Sequence, residues 1–215
     1  MAGSRHGGGG EARRGERGNL KAMKAVTIFC GSSRQCEPVY LEAAAQLGRA
    51  FAREGLSIVY GGGAVGLMGA MADAALSEGG RVIGIIPEFM RDLEWAHAGI
   101  STLRVVKDMH ERKKLLALES DAVVALPGGV GTLEELLEVL SFKRLGLYTH
   151  PVVILNLRDF YLPLKHLLHR AVAEHFLDPR HERMWAFVNL VEEVLPALQS
   201  AAEWDARDAR HWAVP

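Results

Sequence analysis

The glycine-rich segment 126–135 contains the residues best suited to chemistry. Gly128, Gly129 and Gly131 follow a short apolar run and precede an amphipathic one, which predicts a turn from a strand into a helix near Thr132. Glycines leave room for a ligand against the main chain. The free N–H groups and the dipole at a helix start attract anions, typically phosphate. The sequence therefore predicts a phosphate-binding loop in this segment.

Glu135, at the start of that helix, has two interpretations. Thr132 and Glu135 have the spacing of a capping box, in which both side chains bind free donors at the helix end. Alternatively, Glu135 is a catalytic carboxylate that faces a part of the ligand other than its phosphate, such as a sugar. The apolar stripe of the helix turns its glutamates away from the core, and it comprises Leu133, Leu136, Leu137 and Leu140. Spacing alone leaves both interpretations open.

Arg112 is a cation on a helix face that is otherwise apolar. Asp108 is placed to cap this helix, and Arg112 shares a stripe with Met109 and Leu116. Its aliphatic stem could pass the core so that the charge reaches water, which is the common arrangement. Its guanidinium could instead reach the neighbouring loop and hold a phosphate or carboxylate with two parallel hydrogen bonds. Lys113 is a second candidate cation at the same place.

Two earlier loops could complete a nucleotide cleft. The loop from Gly61 to Gly66 matches the GxGxxG pattern, but no acidic residue ends the following strand, as an NAD site would require. It is therefore interpreted as a second wall of the cleft, with close helix packing as the alternative for Gly66. The loop that begins with Gly31 and Ser32 offers small residues that cap a helix or bind phosphate. Cys30 before it has no evident basic partner and is expected in the core.

The elements that position these loops alternate along the chain. Short apolar runs predict seven strands, near 26–30, 57–60, 82–86, 103–106, 122–126, 152–155 and 185–188. Amphipathic runs predict helices near 38–54, 66–78, 109–119, 132–145, 160–176 and 190–200. This alternation predicts an α/β fold with a mostly parallel sheet, whose ligand site lies at the carboxyl ends of the strands. We expect a single domain at 24–201, between a disordered tail at 1–23 and a C-terminal tail at 202–215.

Composition excludes several classes of protein. A net charge of −1 over 215 residues argues against a general nucleic-acid binder. The two cysteines cannot form a disulfide scaffold and no residues have metal-ligand spacing, so we expect a cytoplasmic protein without a metal. No apolar run approaches the roughly 20 residues that span a bilayer, and no secretory signal is visible, so no membrane association is expected.

The motifs together resemble those of the LOG family, the cytokinin riboside 5′-monophosphate phosphoribohydrolases. They are CGSS at 30–33, the glycine loop at 60–69, MHERK at 109–113 and PGGVGTLEE at 127–135. The resemblance covers roughly residues 25–200. It implies a Rossmann-like three-layer fold, at least a homodimer, and hydrolysis of N6-modified adenosine 5′-monophosphates to free base and ribose 5-phosphate without a cofactor. Relatives have often been labelled lysine decarboxylases, but no recognisable pyridoxal phosphate lysine accompanies the glycine loops.

The resemblance also implies residue roles. Arg112 and Glu135 match the catalytic pair of the family. Nucleotide contacts carry over to Glu94, Lys113, Gly129, Val130, Gly131, Thr132, Leu133, Glu134 and Ser141. The expected substrate-binding residues further include Gly31, Ser32, Gly62, Gly63, Met109 and Gly128. Two alternatives remain open: a general AMP nucleosidase, and a non-catalytic carrier of a nucleotide or molybdenum cofactor. Because a carrier would not need both Arg112 and Glu135, their presence favours an enzyme.

Overall fold

The computed structural model describes residues 23–91, 96–202 and 204–207, and these form a three-layer α/β fold. One parallel sheet of seven strands has the order β4-β3-β2-β1-β5-β6-β7. The strands are β1 Ala25–Phe29, β2 Ser57–Tyr60, β3 Val82–Pro87, β4 Thr102–Val106, β5 Val123–Ala125, β6 Val152–Leu155 and β7 Ala186–Val188. The α/β class and all seven predicted strands are confirmed.

Helices cover both faces of the sheet. They are α1 Pro38–Arg53, α2 Gly66–Ser77, α3 Glu88–Arg91, α4 Met109–Leu118, α5 Val130–Arg144, α6 Leu162–Ala173 and α7 Val194–Ser200. One core layer packs α1, α2 and α7 on the sheet, and the other packs α4, α5 and α6 on the opposite face. Strands such as β6 are buried along their whole length, which explains why their sequences are apolar without alternation.

Strand order places a crevice at β1. The chain builds outward from β1 through β2 and β3 to β4, and then returns so that β5 pairs with the free side of β1. The loops after β1 and β5 therefore lead to helices on opposite faces of the sheet. Ligands of open parallel sheets bind at such a reversal point. The loop that begins at Gly31 and the loop 126–129 meet there.

Several predicted helix boundaries were wrong. Helix α5 begins at Val130, two residues earlier than predicted. The predicted helix at 160–176 runs only from Leu162 to Ala173, and His175, just past its end, has a left-handed φ angle of 63°. The short helix α3 was not predicted. Within the described residues, no helix is long and apolar enough to span a membrane.

Candidate active site

Arg112 and Glu135 face each other between α4 and α5 at the carboxyl edge of the sheet. Nη2 of Arg112 lies 3.7 Å from Oε1 of Glu135. Arg112 is only 6% exposed, so its charge is held out of water rather than passing the core to solvent. The guanidinium and the carboxylate carry opposite charges, so they attract each other across this gap. The structure thus brings together the two residues predicted to be catalytic.

The other contacts of the Arg112 guanidinium are weak ones. Nη1 lies 3.5 Å from the sulfur of Met90 and 3.8 Å from the sulfur of Met109. Nε is buried and has no hydrogen-bond partner among the residues that the structure describes. Thioether sulfur is a poor acceptor, and 3.7 Å is too long for a hydrogen bond to Glu135. The described part of the chain therefore leaves this guanidinium with capacity for a strong oxygen acceptor.

The position of Arg112 depends on local sequence. Asp108 caps α4 by accepting a hydrogen bond from the N–H of Glu111 at 2.9 Å, as predicted. The loop after β2 packs against the guanidinium of Arg112. A Cβ atom at Gly61 would come within 2.4 Å of Nη2 of Arg112, so a side chain there would displace the guanidinium from its present position. The glycine loop thus forms one wall of the site.

Glu135 does not cap its helix. The N-cap of α5 is Gly129, which provides no side-chain cap, and Thr132 is already the third helical residue. Thr132 is buried and packs on Gly128, where a Cβ atom would collide with its hydroxyl. The capping-box interpretation was therefore wrong. Glu135 lies beyond the first turn, and its carboxylate faces Arg112 rather than the helix end.

The loop before α5 has space in front of it. Ideal Cβ atoms at Gly129 and Gly131 would meet no atom within 4 Å. A cavity of about 280 Å³ adjoins the loop and brings together Gly31, Ser32, Gly128 and Gly129. The N–H of Gly31 donates to the Pro127 carbonyl at 3.1 Å, which fixes the two loops against each other. These four predicted residues thus line one cavity at the start of a helix, where an anion is favoured.

Lys113 is engaged by glutamates of α5. Its ammonium lies 2.5 Å from Oε1 of Glu134 and 3.1 Å from Oε1 of Glu138. Hydrogen bonds to Glu134 and then to Glu138 raise the pKa of Lys113. Lys113 follows Arg112 on α4 and Glu134 precedes Glu135 on α5, and their contact with a nucleotide stays a prediction. The side chain of Lys113 nevertheless points its charge at α5.

Other predicted residues lie apart from this centre. Ser141 is exposed, and its hydroxyl donates to the Leu137 carbonyl at 2.8 Å within α5. It follows Glu135 by six residues, or about 9 Å along the helix axis. Leu137 was expected in the apolar stripe but is 43% exposed. Val130 is also exposed and Leu133 is half-buried. Glu94 lies outside the described residues.

Gly62 and Gly63 serve the loop structure. The Gly62 carbonyl accepts from the N–H of His97 at 2.9 Å, and the Gly63 carbonyl accepts from the Tyr60 hydroxyl at 3.2 Å. Gly62 has a φ of 84°, in the left-handed region that favours glycine. Both glycines are buried below the segment around His97. They shape the wall next to Arg112, and their contact with a substrate stays a prediction.

Cys30 is a core residue, as expected. It is buried, and burial followed by the nearby Glu135 carboxylate raises the pKa of its thiol. A thiol with a raised pKa is a poor nucleophile at neutral pH. Cys36 is also free. In the ranges that the structure describes, no group of three or more histidine, cysteine, aspartate or glutamate residues could hold a metal ion.

Sequence patterns missed three contributors to the site. Met90 lies on the unpredicted helix α3 and contacts Arg112 from 22 residues away. Gly61 was noted only as part of a pattern, and its contact with Arg112 has no local signal. Glu138 looked like an ordinary exposed helix residue, although it pairs with Lys113. Its spacing of four from Glu134 is the one signal that could have linked it to the same cation.

Known proteins are similar to this chain in sequence, and others are similar to it in fold. Residues 68–198 match the family described as "Possible lysine decarboxylase". A cytokinin riboside 5′-monophosphate phosphoribohydrolase of Rhodococcoides fascians is 46% identical over 178 residues, which cover 82% of this chain and 90% of the relative. The enzyme LOG7 of Arabidopsis thaliana, which carries the same name, is 40% identical over 177 residues, with 82% of each chain covered.

Among solved structures, the molybdenum cofactor carrier protein of Chlamydomonas reinhardtii has a TM-score of 0.64 at 20% identity, covering 83% of this chain and 98% of that one. At that identity the likeness shows only that the fold is shared. The sequence matches go further, since they extend over most of this chain and most of each relative at around 40% identity or more. The chain therefore belongs to the LOG family of cytokinin riboside 5′-monophosphate phosphoribohydrolases.

Proposed function

We propose that this protein hydrolyses the N-glycosidic bond of adenosine-type nucleoside 5′-monophosphates, including N6-modified ones, and releases free base and ribose 5-phosphate. The observation that carries the proposal is the buried Arg112 guanidinium facing Glu135 beside an open helix N-terminus. The relatives at 46% and 40% identity are named for this reaction on cytokinin nucleotides. A pair of this kind suits a reaction that develops charge on a sugar next to a phosphate.

The phosphate binds at the start of α5. Gly129 and Gly131 leave open space there, and the N–H groups of the first turn have no partner within the helix. Their partial positive charge favours an anion. The hydroxyl of Ser32, on the facing loop, is a further donor to the same cavity. Because the phosphate provides much of the binding energy, nucleosides without it are expected to be poor substrates.

Glu135 acts on the ribose. Breaking the glycosidic bond gives the sugar an oxocarbenium-like transition state with positive charge near C1′. The Glu135 carboxylate stabilises this charge and accepts a proton from the water that attacks C1′. The base departs with the bonding electron pair and takes up a proton on nitrogen, so that the proton that Glu135 removes from water is returned overall and OH and H are added across the broken bond. Arg112 attracts the Glu135 carboxylate and donates its remaining N–H groups to oxygens of the ribose phosphate.

A second copy of the chain is proposed to cover one face of α5. Val130, Leu137 and Leu145 are exposed apolar residues that recur along this face, and Ser141 lies among them. Exposed apolar residues that line up on a helix are typical of an interface. A homodimer would also bring Ser141 next to another subunit, which would explain why a predicted contact residue lies away from Glu135. A monomer in analytical ultracentrifugation at assay concentrations would rule the dimer out.

The function is tested by measuring ribose 5-phosphate release from a panel of compounds. We expect release from AMP and from N6-isopentenyladenosine 5′-monophosphate, and at least roughly 100-fold slower release from adenosine, because the anion site is then unused. A preference for AMP would identify a general AMP nucleosidase. Tight nucleotide binding without ribose 5-phosphate release would identify a carrier and would overturn the proposal.

A further inference from the structure

The hydrogen-bond ladder between β1 and β5 slips by one residue at the loop 126–129. The N–H of Thr27 donates to the Ala122 carbonyl at 2.9 Å. A regular parallel ladder repeats this bond every two residues, so the N–H of Gly31 would donate to the Leu126 carbonyl. The N–H of Gly31 instead donates to the Pro127 carbonyl at 3.1 Å. The Leu126 carbonyl is thus released from the ladder just before the glycines.

A tyrosine hydroxyl binds the released carbonyl. The hydroxyl of Tyr161, a residue that is only 1% exposed, donates to the Leu126 carbonyl at 2.7 Å. Burial raises the pKa of Tyr161, so the hydroxyl keeps its proton at neutral pH and remains a donor. Leu126 is itself buried, and a buried carbonyl without a partner is costly. The direction in which the chain leaves β5 therefore depends on a side chain at the N-cap of α6, 35 residues further along the chain.

The turn between β6 and α6 fixes the position of Tyr161. Arg158 and Asp159 have φ angles of 54° and 59°, in the left-handed region that is costly for residues other than glycine. The side-chain oxygen of Asn156 accepts from the N–H of Tyr161 at 2.8 Å, and its amide nitrogen donates to Asp159 at 3.1 Å. Backbone strain of this kind persists only where the surrounding structure fixes it, and it clusters at functional sites.

The same turn borders the proposed phosphate site. Phe160, which precedes Tyr161, lines the cavity of about 280 Å³ together with Gly128 and Gly129. Hydrogen bonds from N–H groups to oxygen span about 2.7–3.2 Å, so a shift of roughly 1 Å in the loop 126–129 would break those that a phosphate makes at the start of α5. None of the expected site residues lies in this turn. Its contribution depends on contacts between distant parts of the chain.

We propose that Tyr161 is a positioning residue for the substrate phosphate, because its hydroxyl holds the Leu126 carbonyl and so keeps the loop 126–129 in line with the first turn of α5. This assignment rests on the proposed function, which places the phosphate at that helix start. Tyr161 acts through the main chain and does not contact the substrate. Its loss should therefore weaken the binding of compounds that carry the phosphate and leave the binding of compounds without it unchanged.

Tyr161→Phe tests this role, because it removes the hydroxyl and keeps the ring. The Kd values of AMP and ribose 5-phosphate, measured by calorimetry, should rise by about tenfold. KM for AMP should rise with them, while kcat stays within about threefold of wild type. The Kd of adenosine, which has no phosphate, should also stay within about threefold.

Tyr148→Phe is the matched control. Tyr148 is also buried, and its hydroxyl donates to the Pro151 carbonyl at 3.5 Å, just before β6 at the opposite edge of the sheet. The substitution removes the same atom from a buried tyrosine that is remote from the loop 126–129. All the binding constants and kcat should stay within about threefold of wild type.

A second variant disturbs the same contact without removing the hydroxyl. Asn156→Ala frees the turn that carries Tyr161 and should weaken binding of AMP and ribose 5-phosphate selectively as well. Unfolding midpoints identify the variants that fold. Unchanged Kd values of both phosphates in folded Tyr161→Phe would overturn the assignment, and so would an equal loss of adenosine binding, which indicates general damage. If wild type binds AMP without hydrolysing it, the proposed function fails, and the Kd values still decide the role of Tyr161.

Discussion

A buried cation is found at each end of helix α5, and the two cations have different surroundings. Arg112 lies near the first turns of the helix, whereas Lys143 is in its last turn. They are 6% and 2% exposed. A buried cation is costly unless polar groups replace its water. What replaces the water differs between the two ends.

The protein itself satisfies Lys143. Its ammonium donates to the carbonyls of Thr149 and His150 and lies 5.8 Å and 6.0 Å from the ring centres of Tyr148 and Trp204. The Trp204 indole in turn donates to the Lys143 carbonyl at 2.6 Å. Burial lowers the pKa of Lys143 to about 8. Main-chain oxygens, aromatic faces and the helix dipole thus surround this cation, and its role is structural.

Arg112 has no comparable set of oxygen acceptors among the described residues. Its partners there are two thioether sulfurs and a carboxylate beyond hydrogen-bond distance. The cation at the start of α5 is therefore suited to receive an acceptor from a ligand, whereas the cation at the end of α5 is not. Burial alone does not identify a functional cation. A functional cation is identified by which hydrogen-bond acceptors surround it.

The largest expected difference between the two cations is in activity. Arg112→Met keeps a long apolar stem in the core but removes the charge, and should lower kcat/KM for AMP by roughly 100-fold or more. Lys143→Met is the matched variant at the other end and should keep kcat/KM within about threefold of wild type. Kinetics of ribose 5-phosphate release would check both. Equal losses in two folded variants would remove the distinction between the ends.

A smaller effect is expected from alanine in the phosphate loop. Gly128→Ala collides with Thr132 and should lower the free energy of unfolding by about 1–3 kcal/mol. Gly131→Ala meets no atom and should raise it by about 0.5–1 kcal/mol, because alanine is the better helix former. If the open space belongs to the ligand, Gly131→Ala also raises KM for AMP. Urea unfolding and KM measurements test this, and an unchanged KM would show that phosphate does not occupy that space.

A third difference between the two cations is in how stability varies with pH. The pKa of Lys143 is about 8 in the native protein and 10.5 ordinarily. Between those values the unfolded chain binds more protons than the native one, so this group makes the free energy of unfolding rise with pH, by at most about 1.4 kcal/mol per pH unit. Lys143→Met should lack this contribution. Urea unfolding of both proteins from pH 7 to 10 would reveal the difference, and identical slopes would contradict the lowered pKa.

Sequence patterns predicted the parts of the molecule that depend on local periodicity. Apolar runs marked the seven strands, and their alternation with helices led to the parallel sheet and its carboxyl edge. Arg112 was identifiable because a cation interrupted an apolar helix face. Family resemblance then linked it with Glu135, a residue whose spacing from Thr132 also fitted a cap.

Features set by packing were not predictable in this way. Helix α5 begins at Val130, and Thr132 packs against Gly128 as the third helical residue instead of capping the helix. In the sequence, Lys143 looks like any lysine in the last turn of a helix, where cations are common because they interact favourably with the helix dipole. Its burial depends on Trp204, which lies 61 residues further along the chain in the segment expected to be a tail. No local pattern contains such a contact.

The central claim is that Glu135 is the catalytic carboxylate of a phosphoribohydrolase. The most direct measurement is ribose 5-phosphate release from AMP by wild type and by Glu135→Gln, with unfolding midpoints recorded for both. The glutamine keeps the size of the side chain but cannot take a proton from water, so release should be at least roughly 100-fold slower in a variant that still folds. A folded Glu135→Gln variant with full activity would contradict the claim.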